Sequence, residues 1–233
     1  MKKIFLWILV IIIIILALVG VIYKRELSAI YNITFVSPEK AITKLLENKE
    51  QLKNELKTSY EMEDALIEGF TDEEMEKITK GEMTVDEAME RLEADINAQQ
   101  AETPVKDDNT QKIKQAISDS ATKLYRAKAE YSTALASLET EVPVFYRDLR
   151  KQKISSAEAK AKVISRYLPV LSSLSKDADA KVAEILSNLN NTLKSLNGDT
   201  SIVDKMKAEY ESEKAAKQSE YMSIWNSVGK KKK

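Results

Sequence analysis

The sequence predicts an all-α protein: an N-terminal transmembrane helix, a long coiled-coil-like helix, a short helical hairpin and a distal antiparallel three-helix bundle. Three observations predict it. Residues 4–23 are an uncharged apolar run, charged residues make up 31% of the chain against 6% aromatic, and most glycines and prolines fall at the ends of helical patterns. Such a composition favours long amphipathic helices over a compact enzyme core.

The apolar run Ile4 to Tyr23 lies between Lys2-Lys3 and Lys24-Arg25. Twenty helical residues at about 1.5 Å each span roughly 30 Å, the thickness of a bilayer's hydrocarbon layer, so residues 1–25 read as a signal anchor in contact with lipid. The run is longer than a cleaved signal's apolar stretch, and Ala17-Leu18-Val19 is a poor cleavage site. Trp7 and Tyr23 sit near its two ends, where amphipathic rings favour the headgroup layer. The flanking positive charges nearly balance, and the short basic amino terminus favours a carboxy-terminal region outside the cytoplasm.

Residues 26–102 form an acidic juxtamembrane region. Its first helix is expected over 38–68, opened by Ser37-Pro38 and striped by Ile42, Leu45, Lys49, Leu52, Leu56, Ser59, Glu63, Leu66 and Phe70. The spacing is that of a coiled coil, and Lys49, Ser59 and Glu63 weaken the seam. A hairpin follows over 71–102. Thr71 with Glu74 and Thr84 with Glu87 fit the capping box, and Met83 with Ala88 fits a hydrophobic staple. The stretch from Lys80 to Ala88 resembles the short helical hairpins of SHOCT-type domains over about twenty residues, and the resemblance implies paired short helices. The same start pattern recurs from Lys151 to Ala159.

A polar linker, 103–110, leads into the distal bundle, 111–228. Its first stripe is Ile113, Ile117, Leu124, Ala127, Tyr131, Ala134 and Leu138; its second is Ile164, Leu168, Leu171, Val182, Leu186, Leu189, Leu193 and Leu196. Val203, Met206, Tyr210, Lys217, Tyr221, Ile224, Trp225 and Val228 mark a third. Ile164, Leu171, Leu189 and Leu193 are expected in the core. Pro143 and Pro169 should each kink or restart a helix. Asn197-Gly198-Asp199 should make the second turn, and Gly69, Gly81, Gly198 and Gly229 should act as left-handed caps. Residues 229–233 form a basic tail.

The charge is divided unevenly. Glu39 to Glu102 holds 19 acidic and 8 basic residues, net −11, whereas Thr103 to Lys233 holds 24 basic and 17 acidic, net +7. Either the two segments attract each other, or each meets a partner of opposite sign, or their helix faces are simply solvated.

Several function classes are excluded. With no His and no Cys, the chain has no imidazole base, thiolate nucleophile, disulfide, or Cys and His zinc site. It also lacks a phosphate loop, dinucleotide fingerprint and nucleophile elbow, so the chain is not expected to be an enzyme or to hold a cofactor. The loop carboxylates Asp107-Asp108 and Asp177-Ala178-Asp179 do not follow calcium-loop spacing, and no metal is expected there.

The candidate site is the basic cluster Arg147, Arg150, Lys151, Lys153, Lys160, Lys162 and Arg166, diluted only by Asp148 and Glu158. Such a cluster holds an anionic polymer, lipid headgroups or an acidic protein face; the plain alternative is a solvated helix junction. Nucleic acid is not an expected partner of a region outside the cell. The expected function is a membrane-anchored scaffold or adaptor of the bacterial cell envelope acting through protein partners. The alternatives are a ligand-sensing or anionic-polymer-binding ectodomain and a membrane-bridging or lysis-associated factor.

Overall fold

The computed structural model describes residues 38–62, 64–100 and 108–227. The described residues form seven helices and no strand: α1 (Pro38–Thr58), α2 (Asp64–Glu68), α3 (Asp72–Lys80), α4 (Val85–Gln100), α5 (Asp108–Lys151), α6 (Ser156–Ser195) and α7 (Ser201–Ser227). The expected membrane span over residues 4–23, most of the linker and the lysine tail lie outside the described residues. Among the described residues no helix is long and apolar enough to cross a membrane. The chain divides into two compact units, one comprising α1 up to Leu46 with α7 from Glu211, the other Glu47–Tyr210.

The helix expected over 38–68 is two helices. α1 stops at Thr58, Glu61 takes a left-handed backbone with φ 48°, and the Met62 amide reaches back to the Leu56 carbonyl at 3.0 Å. A glutamate in this conformation gives no glycine signal to read in advance. Next comes the hairpin, held by both expected capping boxes. Thr71 Oγ1 accepts the Glu74 amide at 3.2 Å and Thr84 Oγ1 the Glu87 amide at 3.1 Å. Each glutamate in turn accepts the threonine's own amide, at 3.0 and 2.7 Å. Gly81, φ 73°, ends α3 as a left-handed cap. Ala88 is buried with Ile78 and Ala129, and Met83 packs against them as the staple predicted.

In the larger unit α5 and α6 run antiparallel along one another. Asn109 Nδ2 donates to the Leu196 carbonyl at 3.0 Å at one end, and Tyr146 and Ser156 share a 2.9 Å hydroxyl hydrogen bond at the other. Pro143 and Pro169 do not restart a helix. Each lies inside α5 or α6 and is exposed, so water can satisfy the carbonyl left without its amide partner. The turn between α6 and α7 forms as expected with one difference: Asn197, φ 52°, is the left-handed residue, and the Gly198 amide closes the cap on the Leu193 carbonyl at 2.8 Å. Asp177 and Asp179 sit inside α6, not in a loop.

One core joins the acidic segment to the distal helices. Leu56, Leu66, Leu92 and Ile96 pack with Ile117, Ala121, Leu186, Leu189, Leu193, Ile202 and Met206. The division of charge at Thr103-Pro104 is therefore not a division of the core. Ion pairs among the described residues cross it with the acid on the early side, including Glu55 with Lys205 at 2.5 Å, Glu61 with Lys114 at 3.7 Å and Asp86 with Arg126 at 2.6 Å. Partly exposed pairs are worth at most about 1 kcal/mol each, whereas burying one leucine contributes about 1.5 to 3 kcal/mol. Apolar burial fastens the two segments, and the charges favour their mutual register. The intramolecular attraction read from the charge division is thus realised in these pairs.

The second stripe is only half correct. Leu189 and Leu193 are buried to 1% and 0% exposure, Leu171 is half-buried, and Ile164 is 40% exposed. In the first half of α6 the buried face is Ala159, Val163 and Tyr167, one residue out of phase with Ile164 and Leu168, while Leu171 follows Tyr167 by one turn. Burial therefore follows Ala159, Val163 and Tyr167 in this half of the helix and leaves Ile164 outside.

Candidate functional site

The seven cations converge on the α5–α6 turn, where α5 contributes Arg147, Arg150 and Lys151, the turn Lys153, and α6 Lys160, Lys162 and Arg166. α5 ends because Lys153 adopts a left-handed backbone with φ 63°, closing a bond from its amide to the Arg150 carbonyl at 3.1 Å. Ser155 then opens α6: its backbone is extended and its hydroxyl accepts the Glu158 amide at 3.2 Å. Beneath the turn Tyr146, Leu149, Ala159, Val163 and Tyr167 are buried. The turn is therefore anchored from below, and all of the cations except Lys160, which is half-buried, are exposed.

Their partners differ. Lys151 Nζ lies 3.0 Å and Arg147 Nε 4.0 Å from the same Asp148 oxygen, and Lys162 lies 3.3 Å from Glu158. Arg150 donates to the Ile154 carbonyl across the turn. Arg166 lies over two rings, 4.6 Å from the Phe145 centroid and 5.5 Å from that of Tyr167; those rings meet edge to face at 5.8 Å. Among the described residues no ion pair or hydrogen bond forms to the side-chain ammonium of Lys153 or Lys160. From Arg147 to Arg166 seven cations face two carboxylates, net +5.

Part of this charge serves the fold. Arg150 and Lys151 stand in the last turn of α5, where the helix dipole favours cations. Lys160 and Lys162 lie in the second turn of α6, beyond the reach of that effect. Local stability therefore accounts for only some of the cluster.

Three large aliphatic side chains stand exposed around these cations: Val144 at 44%, Ile164 at 40% and Val170 at 41%. The sequence places none of them beside the cations: Ile164 is expected in the core, and Val144, Val170 and the ring partners Phe145 and Tyr167 are not singled out. The signal available was modest. Val144 and Val170 each follow a proline within a helix, and Phe145 adjoins Val144.

Elsewhere in the same unit, an open groove of about 340 Å³ between α4 and α5 is lined by Met89, Glu93, Asn97, Asp119, Lys123 and Arg126. Its charges are of both signs, and Arg126 is already paired with Asp86. Nothing there lines up a nucleophile with a base. Compared with known proteins, the chain matches no family model, no curated protein and no solved structure.

Proposed function

We propose that the protein is a single-pass membrane-anchored helical scaffold of the bacterial cell envelope that binds protein partners on its helix faces. Residues 4–23 hold it in the cell membrane, with the carboxy-terminal region outside the cytoplasm; this part rests on the sequence run and its flanking charges. The observation that carries the binding role is on α1. Ile42 and Leu46, one helical turn apart, are 50% and 62% exposed, while Ala41 beside them is buried. A partner helix with a matching apolar face would cover such a pair. The absence of His and Cys from the whole chain, which removes the commonest catalytic groups, is consistent with a binding role.

The test is co-purification of the tagged full-length protein from its native membrane, with identification of partners, beside Ile42→Asp/Leu46→Asp. Loss of specific partners in the double variant, with helicity retained, supports the reading. An identical partner set would overturn the assignment of this face.

A further inference from the structure

We propose that the α5–α6 turn is a docking site for the surface of an anionic bilayer. This goes beyond the scaffold reading and uses a different surface from Ile42 and Leu46.

Charge alone points to an anionic partner. Lys153 and Lys160 have no counter-charge among the described residues, and Arg147 and Lys151 share the single carboxylate of Asp148. The aliphatic side chains narrow the partner to lipid. Val144 is three residues from Arg147 in α5, Ile164 is four from Lys160 and Val170 four from Arg166 in α6, so each exposed apolar group shares a helix face with a cation one turn away. A soluble polyanion uses the cations and leaves the aliphatic groups in water. A bilayer surface takes both, cations at the phosphate level and aliphatic groups at the boundary of the acyl chains. Arg166 adds to the fit, since its contact with Phe145 and Tyr167 holds a cation in place that would otherwise lose side-chain freedom on docking.

The experiment uses the full chain embedded in phosphatidylcholine nanodiscs, offered vesicles of phosphatidylcholine alone or mixed with phosphatidylglycerol. Capture should require phosphatidylglycerol and fall steeply as salt is added. Arg150→Gln/Lys151→Gln/Lys153→Gln should lower capture about tenfold or more, and Ile164→Ser/Val170→Ser should lower it at unchanged charge. Equal capture of the two vesicle types would overturn the proposal. So would loss on the charge substitutions with none on the apolar ones, which identifies a site for a soluble polyanion. A second measurement keeps the native charges: the fluorescence of Val144→Trp should be quenched by vesicles carrying brominated acyl chains, beyond that of the parent protein. No additional quenching would show that the turn does not reach the acyl boundary.

Discussion

The two ends of the α5–α6 pair are built from different material. At the end near Ile117 and Leu193, six helices contribute large aliphatic side chains to one sealed core, and acidic and basic groups cross-pair around it. At the turn end Val142, Tyr146, Leu149, Ala159, Val163 and Tyr167 are buried, large aliphatic groups stand exposed, and cations outnumber carboxylates. The first arrangement satisfies its own charges and apolar surface. The second leaves both partly unsatisfied, as a surface that meets something else must.

The comparison can be broken most severely at the core end. Leu189→Ala removes a side chain only 1% exposed and should cost about 2 to 5 kcal/mol, out of a domain stability of about 5 to 15 kcal/mol. Thermal unfolding followed by circular dichroism should show a fall of several degrees. Ile164→Ala, at the turn end, should leave the curve nearly unchanged. Similar losses in the two variants would mean that the turn end is as sealed as the other.

Gly69→Ala should come next. Gly69 has φ 62°, and a β-carbon there would stand 2.4 Å from the Tyr125 ring, whose hydroxyl donates to the Leu66 carbonyl at 2.7 Å. The ring must move or the turn must open, on top of a left-handed strain of about 1 to 2 kcal/mol. A denaturant midpoint equal to that of the parent would show that the contact yields freely.

A smaller effect is expected from Tyr146→Phe, which deletes the hydroxyl shared with Ser156 at the turn end. A net loss of about 0.5 to 1.5 kcal/mol is the ordinary worth of such a bond. In the same variant vesicle capture should be retained, because no cation moves.

The smallest effect separates the two turns by pH. At the core-end turn, bonds from the Ser201 amide and hydroxyl hold the Asp199 carboxyl below its ordinary value of 3.8, whereas the basic turn is capped by the uncharged hydroxyl of Ser155. A carboxylate whose pKa is depressed by folding stabilises the fold above its unfolded value and loses that contribution as pH falls through the folded value. The Ser201 amide resonance should therefore titrate with a midpoint below 3.8, and Asp199→Asn should abolish the titration. A midpoint at or above 3.8 would remove the proposed cap. Because Asp199 is exposed, the accompanying stability change should be slight.

Much of this architecture was legible because it is local. Thr71 and Thr84 announce their helices through residues three positions on, and Asn197-Gly198 announces its turn. What remained hidden depends on distant neighbours. Nothing near Leu66 says that Ile117 and Leu189 will cover it. The phase of α6 follows Ala159, Val163 and Tyr167, which stand beside the apolar Ile164 and Leu168, so hydropathy alone does not choose between the two faces. The break at Glu61 has no glycine to mark it. The basic cluster was legible as a cluster, but its aliphatic border was not, since Ile164 looked like core until its neighbours were placed.

The shared core also has a consequence for the growing chain. Synthesis delivers Leu56, Leu66 and Ile96 long before Leu189, Leu193 and Ile202, so the early apolar groups emerge with no cover. Contacts so distant along the chain close slowly, and exposed apolar segments aggregate while they wait. The net charge of −11 from Glu39 to Glu102 supplies mutual repulsion between nascent copies during that interval. Ribosome-bound chains ending at Lys151 should accordingly be protease-sensitive throughout 47–100, and chains released after Tyr210 protected. Early protection would mean that the acidic segment assembles before its covering helices exist.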